Sequence, residues 1–389
     1  MHAYPLSLEK FEQRACVLRL ENNALIHNFG FSTIFYRDSG KDGIELHKKK
    51  IIWIVEHCDT KGTYPFERAV TLANLLQEES VFLFIKTDNQ ALIDKLAATK
   101  LTIVLFDRFI ELKKKIRELE PDLIVHDGKD TQLDQIEMIR PFCQTIVHFD
   151  DFGMGAQLVD CHIIALFGEP HEESLPQELA GSYAFAVPPN LEQTAQAIYD
   201  ASDCAIKQAL PHIVVAFEDG DANNLTYRTL RHLTQLHIPL KISIAIDDDY
   251  KHDLDSLKLM ALSRRNTEIV KRDDALLHLM PDADLIICNA NFTPYKVATA
   301  GIPCITTAQH EQELNYTFAR EMNGFIHIGL GRKMKQSILQ NAVMELLLHE
   351  SRRERAVRKQ RALEILTNNE ILKNLLLDLA YSRHNLAHM

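Results

Sequence analysis

The sequence lacks the features that would point to a membrane, a secreted or a nucleic-acid-binding protein. No apolar run reaches the roughly 18 residues that a membrane-spanning helix requires. The first residues contain no basic segment followed by an apolar one, so we expect no secretory signal and no integral membrane segment. Lys and Arg number 43 against 54 Asp and Glu, and the resulting net charge of −11 disfavours non-specific binding to nucleic acid.

Cysteine is also sparse, with seven residues and no CxxC pair. Most of the seven lie within apolar, strand-like runs, where buried free thiols are the usual outcome. His, Cys and Asp residues show no spacing typical of a structural metal site, so the sequence predicts no metal and no cofactor. Together with the missing secretory signal, this cysteine usage indicates a soluble protein of the reducing cytoplasm.

The chain does contain a regular alternation of short apolar runs and amphipathic stretches. The apolar fraction of 46% and the charged fraction of 25% are typical of a folded globular protein. Continuous apolar runs that alternate with helical patterns indicate parallel sheets covered on both faces. The predicted strands are 50–56, 81–86, 101–106, 122–126, 145–149 and 162–166, then 212–217, 240–246, 267–270, 284–288, 302–306 and 325–328.

This pattern divides the 389 residues into four predicted parts. We predict an N-terminal extension over 1–49 with a candidate hairpin of 16–20 and 32–36, and a Rossmann-like domain over 50–207. A second Rossmann-like domain of the nucleotide-binding type covers 208–334, and helices cover 335–389. The predicted fold class is therefore α/β, with two doubly wound domains facing a cleft. Ligands of such folds bind beyond the carboxyl ends of the strands, so the cleft is the predicted binding site.

Polar residues follow several strands of the first predicted domain. The segment from Gly62 to Arg68 follows the first strand and opens a helix, whose N-terminus is a natural anion site. His126, Asp127 and Asp150 stand at the ends of two later strands, where carboxylates and an Asp-oriented imidazole suit acid–base catalysis. The alternative is that they form Asx turns, helix caps or structural hydrogen bonds. The candidate catalytic residues are Asp127, His126 and Asp150, with His148 and His310 as further candidate bases.

The loops of the second predicted domain carry a run of hydrogen-bonding side chains. One loop follows the strand at 212–217 and another follows the strand at 284–288. Asn and Thr side chains there suit a base, a ribose or a phosphate, and helix capping is the alternative. The candidate substrate- and nucleotide-binding residues are Gly62, Arg68, Gly220, Asp221, Asn224, Asn289, Asn291, Thr293, Tyr295, Lys296 and Gln312.

A basic run over 351–361 lies within the C-terminal helical segment, which extends over 335–382. Such a run is ordinarily a solvated helix face. The alternative is a patch for an acidic partner or a membrane surface. In the second case, the C-terminal helices would bind another enzyme of the same pathway.

The order of the first-domain motifs resembles that of the UDP-sugar hydrolases of pseudaminic acid biosynthesis and of the related spore-coat polysaccharide biosynthesis proteins. These families open with a GxGHxxR pattern followed by Leu-Ala. Gly62, Arg68 and Leu72-Ala73 stand here at the same spacing. The families also have a strand that ends in two aspartates, which corresponds to Phe149-Asp150-Asp151.

The resemblance continues through the second domain and covers residues 50–330 in unbroken order. Its motifs correspond to Phe217, Asp221, Asn224-Leu225-Thr226, Ala283-Asp284, Thr293, Tyr295, Gly301, Pro303 and Gln312. The resemblance implies a GT-B-like fold, similar to that of the glycosyltransferase that makes lipid II. It also implies a nucleotide-linked sugar as the ligand.

Five positions depart from the family pattern, and all five bear on function. The family's catalytic histidine falls at Pro65, which cannot take a proton, and the preceding glycine falls at Tyr64. A Gly-Gly pair falls at Glu218-Asp219, whose carboxylates would repel a diphosphate. The glutamate that would hold the ribose hydroxyls falls at Lys296, which has no acceptor atom.

Two functions of different classes follow from this combination of similarity and change. The first is a divergent glycosyltransferase or nucleotide-sugar hydrolase of surface-glycan or nonulosonate metabolism. The second is a catalytically inactive relative that serves as a binding or scaffold protein of that pathway. Release of a nucleotide from any nucleotide-sugar would exclude a pure binding role.

Overall fold

The computed structural model describes residues 48–58, 61–167, 178–200, 210–248 and 250–381. The predicted N-terminal hairpin and the predicted boundary between residues 207 and 208 lie outside the described residues. That boundary therefore stays a prediction.

The first half of the described chain forms a seven-stranded sheet in which every pair of neighbouring strands is parallel. The strands lie in the order β3-β2-β1-β4-β5-β6-β7. They are β1 Lys50–Glu56, β2 Ser80–Lys86, β3 Thr102–Leu105, β4 Leu123–Asp127, β5 Thr145–Phe149, β6 Cys161–Ile164 and β7 Glu178–Ala180. The helices are α1 Tyr64–Leu75, α2 Gln90–Ala97, α3 Phe109–Leu119, α4 Leu133–Ile139 and α5 Pro189–Asp200.

The second half forms a parallel sheet of six strands in the order β10-β9-β8-β11-β12-β13. The strands are β8 His212–Ala216, β9 Lys241–Ile246, β10 Thr267–Lys271, β11 Leu285–Cys288, β12 Cys304–Ala308 and β13 Phe325–Leu330. The helices between them are α6 Leu225–Leu233, α7 Leu254–Leu262, α8 Ala275–Leu279 and α9 Thr293–Ala300. In both sheets the strand order reverses beside the first strand, which is where ligands bind in doubly wound folds. The predicted α/β class with two such units is confirmed.

Three helices end the described chain: α10 Gln336–Leu348, α11 Glu350–Arg361 and α12 Asn368–Tyr381. Helix α10 packs on the second sheet, whereas α12 returns to the first sheet and packs against α1. The side chain of Asn369 bonds both the N–H and the carbonyl of Val187, which precedes α5. The C-terminal segment is therefore part of both halves of the molecule.

One apolar core cluster joins the two sheets and the C-terminal helix. It contains Trp53 of β1, Ala216 of β8, Tyr295 of α9 and Leu372 and Leu376 of α12. Two further clusters fill the outer faces, one behind the first sheet and one behind the second. The opposed positions of the two sheets are thus fixed by shared apolar burial.

The structure corrects the sequence prediction in two places. The sequence predicts a helix over 312–321, but the structure has two short 3₁₀ turns there, Gln312–Asn315 and Glu321–Asn323. Between these turns, Tyr316 is extended and its ring is buried. Strand β7 and helix α5 were not predicted, because β7 has only three residues and α5 begins at a Pro-Asn pair that resembles a loop.

Candidate ligand cleft between the two sheets

The carboxyl edges of the two sheets face each other, and the loops that follow their strands are in direct contact. The backbone N–H of Thr63, at the start of α1, donates to Oδ1 of Asp219 at 3.0 Å. The Tyr295 hydroxyl donates to the carbonyl oxygen of Ala165, which follows β6. The rings of Tyr64 and Phe292 pack with their centroids 4.4 Å apart.

Glu218 and Asp219, which follow β8, place their carboxylates at the N-terminal ends of two helices. Asp219 accepts hydrogen bonds at the start of α1 and from Nδ2 of Asn291 at 3.1 Å. Glu218 accepts the hydroxyl of Thr293, the first residue of α9, at 2.8 Å. Backbone N–H groups at helix N-termini bind anions, and in this structure the protein's own carboxylates take these positions.

Lys296 lies between carboxylates of the two domains. Its Nζ is 3.2 Å from Oε1 of Glu218 and 3.6 Å from Oε2 of Glu67 in α1. Burial works against the charge of Lys296, but the surrounding carboxylates raise its pKa above the usual lysine range. Burial, followed by repulsion from Glu218, raises the pKa of Asp219. A phosphate that binds here would replace the carboxylates of Glu218 and Glu67 as the negatively charged partner of Lys296.

Arg68, predicted to bind the nucleotide, lies completely buried between two of the predicted catalytic carboxylates. Its guanidinium donates twice to Asp127 at 2.7 Å and once to Asp150 at 2.8 Å, and none of the three side chains is exposed. The guanidinium also lies over the ring of Phe149, 4.2 Å from its centroid. Asp150 accepts further hydrogen bonds from the N–H groups of Ala165 and Leu166. Arg68, Asp127 and Asp150 are therefore all paired with other groups of the protein itself.

Gly62 after β1, and Gly220 and Asp221 after β8, shape the loop that carries Glu218 and Asp219, which we call the acidic pair. Gly62 has φ of +63°, and a Cβ placed there would lie 1.8 Å from Oδ1 of Asp219. Gly220 also has positive φ, at +76°. Asp221 is fully buried and accepts the N–H groups of Leu225 and Thr226 at 2.7 and 2.8 Å, so it caps α6. Burial raises the pKa of Asp221 to about 6.

Some of the remaining predicted binding residues contact other parts of the protein, and one of them has side-chain atoms that could still bind a ligand. Asn224 accepts the hydroxyl of Tyr250 at 3.2 Å, and the ring of Tyr295 stacks on Phe185. Gln312 is half-buried at the start of a 3₁₀ turn. Among the described residues, Asn289 is fully buried and neither atom of its side-chain amide has a hydrogen-bond partner. Such an amide can bind one donor and two acceptors of a ligand.

The sequence did not single out two residues that complete this part of the cleft, Gln309 and Glu313. Oε2 of Glu313 accepts the N–H groups of Ala290 and Gln309, which brings its carboxyl group to the end of β11. Burial raises the pKa of Glu313 to about 7. Oε1 of Gln309 has no partner within the described residues. Gln312, one of the positions of the sequence resemblance, pointed to the right loop, but the buried side chains of Gln309 and Glu313 lie three residues before it and one after it.

Comparison with solved structures places this architecture among known folds. The chain is similar to MurG of Acinetobacter baumannii, with a TM-score of 0.60 and 16% identity over 85% of this chain and 99% of that one. The glycosyltransferase VinC in complex with dTDP gives a TM-score of 0.58 at 12% identity, covering 85% and 99%. A UDP-GlcNAc 2-epimerase of Neisseria meningitidis bound to UDP-GlcNAc gives 0.57 at 11% identity, covering 85% and 100%. The two facing Rossmann-like units of this chain therefore form a GT-B fold.

Comparisons of sequence are less informative. No family model matches the chain. An uncharacterized protein of Methanocaldococcus jannaschii is 21% identical over 271 residues, which cover 67% of this chain and 56% of that protein. The match thus spans little more than half of the relative's length. In the part of the chain that the structure describes, no helix combines the length and the apolar character needed to cross a membrane.

Proposed function

We propose that the chain binds a nucleotide-linked sugar in the cleft between its two sheets. In this proposal it acts as a divergent glycosyltransferase or nucleotide-sugar hydrolase of surface-glycan or nonulosonate metabolism. The observation that carries the proposal is the buried amide of Asn289 at the carboxyl edge of β11, which has no hydrogen-bond partner among the described residues. Doubly wound sheets bind their ligands at this edge, and a buried amide without a partner is costly unless a ligand or water satisfies it. The ligand class is also supported by two structural neighbours, one solved in complex with dTDP and the other bound to UDP-GlcNAc.

Glu313 is the group of this cleft that best suits proton transfer. A carboxyl group with a pKa of about 7 can both accept and donate a proton near neutral pH. Displacement at an anomeric carbon needs a base for the incoming hydroxyl, and Pro65 cannot supply one. We therefore place Glu313 ahead of Asp127, His126 and Asp150, because the carboxylates of Asp127 and Asp150 are already paired with Arg68.

The second candidate function is a binding protein without turnover, and the acidic pair is the observation that favours it. Glu218 and Asp219 lie at the helix N-termini that would otherwise receive a diphosphate. If Glu218 and Asp219 always keep phosphate groups away from these helix N-termini, the leaving diphosphate would not be stabilised. The chain would then bind the sugar without cleaving its bond to the nucleotide. The buried thiols of Cys143, Cys161, Cys288 and Cys304 form no disulfide among the described residues, which agrees with a cytoplasmic location for either function.

The test is a thermal-shift screen of the purified chain against UDP, other nucleoside diphosphates, CMP and their sugar conjugates. A ligand that binds only the folded state raises the melting temperature. We expect a shift with one nucleotide series and its loss in Asn289→Ala, with Asn190→Ala, an exposed amide on α5, as the matched control. Absence of a shift with every compound would refute the proposed ligand class. Nucleotide release that Glu313→Gln abolishes would support the enzyme, and binding without release would support the second function.

A further inference from the structure

Three buried histidines lie side by side on the first sheet. His126 of β4, His148 of β5 and His162 of β6 are in register as direct neighbours. Side chains at the same register position of parallel strands point to the same face of the sheet. The three are 1%, 0% and 3% exposed, so the row is shielded from solvent. Asp151, three residues after His148, is also buried.

Two of these histidines lack the hydrogen bonds that a buried imidazole needs. Within the part of the chain that the structure describes, both ring nitrogens of His126 and Nε2 of His148 have no hydrogen-bond partner. Nδ1 of His148 lies 2.6 Å from Oδ2 of Asp151, at ion-pair distance but without hydrogen-bond alignment. His162 differs, because its Nε2 accepts the backbone N–H of Asp151 at 3.1 Å. Leaving several polar atoms of one cluster unpaired is unfavourable unless something else binds them.

We propose that His126, His148 and Asp151 bind a divalent transition-metal ion of the Zn²⁺ type. One ligand atom from each residue lies within 4.8 Å of the other two. Ligands at about 2.0–2.2 Å from Zn²⁺ in a tetrahedron are roughly 3–4 Å from one another, so small side-chain movements complete the geometry. Two imidazole nitrogens and one carboxylate oxygen suit zinc and its neighbours in the first transition row better than Mg²⁺ or Ca²⁺.

The surroundings orient the proposed ligands as the outer groups of a metal site do. Asp151 accepts the backbone N–H and the hydroxyl of Thr131 at 3.0 and 2.6 Å, which fixes its carboxylate. Oε1 of Glu56, at the end of β1, lies 3.6 Å from Nε2 of His126. A carboxylate next to a metal-binding imidazole holds its orientation and raises its basicity. The site would tie the loops after β4 and β5 to the strand ends, beside the cleft but independent of its ligand.

The experiment measures metal binding by the full chain. The protein is treated with a chelator, exposed to Zn²⁺ and dialysed, and its metal content is measured by mass spectrometry. We expect about one Zn²⁺ per chain, released protons on binding and a raised melting temperature. His126→Gln and His148→Gln should each lose most of the bound metal. His212→Gln, a change at an equally buried histidine whose nitrogens bond Asp282 and Ser243, should keep it.

A second measurement uses the wild-type chain, so it tests the proposal even if the histidine variants do not fold. Co²⁺ added to the wild-type chain should give the intense visible absorption of a four-coordinate site with nitrogen ligands, and Zn²⁺ should displace it. Asp151→Asn provides a third variant in the same assay. Wild-type protein that retains no metal, a Co²⁺ spectrum of the hydrated ion, or equal metal content in folded ligand variants and His212→Gln would each overturn the proposal.

Discussion

At the scale of single residues, the buried carboxyl group of Glu313 makes stability depend on pH. Burial raises its pKa to about 7 from an ordinary value of 4.5, so the folded state holds the proton more tightly than the unfolded state does. The stability that this group contributes is full below pH 4.5 and is lost as the pH rises to about 7.

Glu313→Gln removes this titration while keeping an acceptor for both backbone N–H groups. We expect the variant to be more stable than the wild type at pH 8 by up to about 3 kcal/mol, from roughly two units of pKa shift, and nearly equal at pH 4.5. Urea unfolding at several pH values measures the difference. A difference that does not change with pH would contradict the buried, protonated carboxyl.

Arg68 provides a second test at this scale. Removing one partner from a buried ion pair leaves an uncompensated charge, which costs about 3–5 kcal/mol. Arg68→Met should therefore lose most of the stability of the first domain, since Asp127 and Asp150 would face each other without a cation. Arg108→Met, in an exposed pair with Glu111, is the control and should change stability by less than about 1 kcal/mol. Equal effects of the two substitutions would show that the buried cluster does not hold Arg68.

The sequence could predict where these residues lie along the chain but not what they contact. Arg68 and Asp150 are 82 residues apart and meet only because α1 crosses the ends of β4 and β5. Local spacing could not reveal the histidine row for the same reason, since its members come from three strands. For Asp221 and Asn224 the sequence left ligand binding and helix capping open. In the structure Asp221 caps a helix, which needs only residues nearby in the chain.

At the scale of elements, the turn between β1 and α1 contacts the loop that follows β8 in the second sheet. Gly62 and Gly329 both have positive φ, but a Cβ at Gly62 would strike Asp219, whereas a Cβ at Gly329 would meet no atom of the described residues within 4 Å. Gly329→Ala should cost only the backbone strain of about 1–2 kcal/mol. Gly62→Ala should cost clearly more, and adding Asp219→Ala should recover the excess. Equal destabilisation by the two glycine substitutions, measured by chemical unfolding, would contradict this contact.

The last helix is the second element with a testable role. Leu372 and Leu376 of α12 are fully buried in the core cluster that joins both sheets. Each fully buried leucine contributes about 1.5–3 kcal/mol, so a chain ending at Thr367 should unfold or aggregate. A chain ending at Tyr381 keeps every contact that the structure describes and is the control. Equal melting temperatures of the two truncated chains would show that α12 is not part of the core.

This packing also changes the interpretation of the basic run over 351–361. Arg353 is buried and donates to the carbonyls of Leu346 and Leu347 at the end of α10. Lys359 donates to the carbonyl of Glu321, and Arg361 lies over the ring of Tyr199. Three of its basic side chains thus bind other parts of the same chain, so the contacts give no support to a partner-binding patch.

The strands could be predicted well because parallel, doubly covered strands are continuous apolar runs. Predicted ends agree with the structure within two residues for all but β7, which is too short to give a pattern. The helix predicted over 312–321 was wrong. Gln, Glu and Leu favour a helix locally, but burial of Tyr316 keeps the chain extended there.

At the scale of the whole molecule, the acidic pair of Glu218 and Asp219 lies where the two sheets of the GT-B fold face each other. Two sheets that face each other form a cleft for a nucleotide-linked sugar in our proposal, and Glu218 and Asp219 occupy the helix N-termini within it. Protonation of Asp219, whose pKa is raised by burial, should weaken its repulsion of phosphate. Nucleotide binding should therefore tighten as the pH falls, in contrast to a site built from lysine and arginine alone.

The most direct measurement is the affinity of UDP for the wild type and for the double variant Glu218→Gln, Asp219→Asn, determined by calorimetric titration. Uridine, which carries no phosphate, is the control ligand. We predict that the double variant binds UDP at least tenfold more tightly, about 1.4 kcal/mol, because the amides keep the hydrogen bonds but lose the charge, while uridine binding stays the same. Unchanged or weaker UDP binding by the folded double variant would contradict a phosphate site at the helix N-termini.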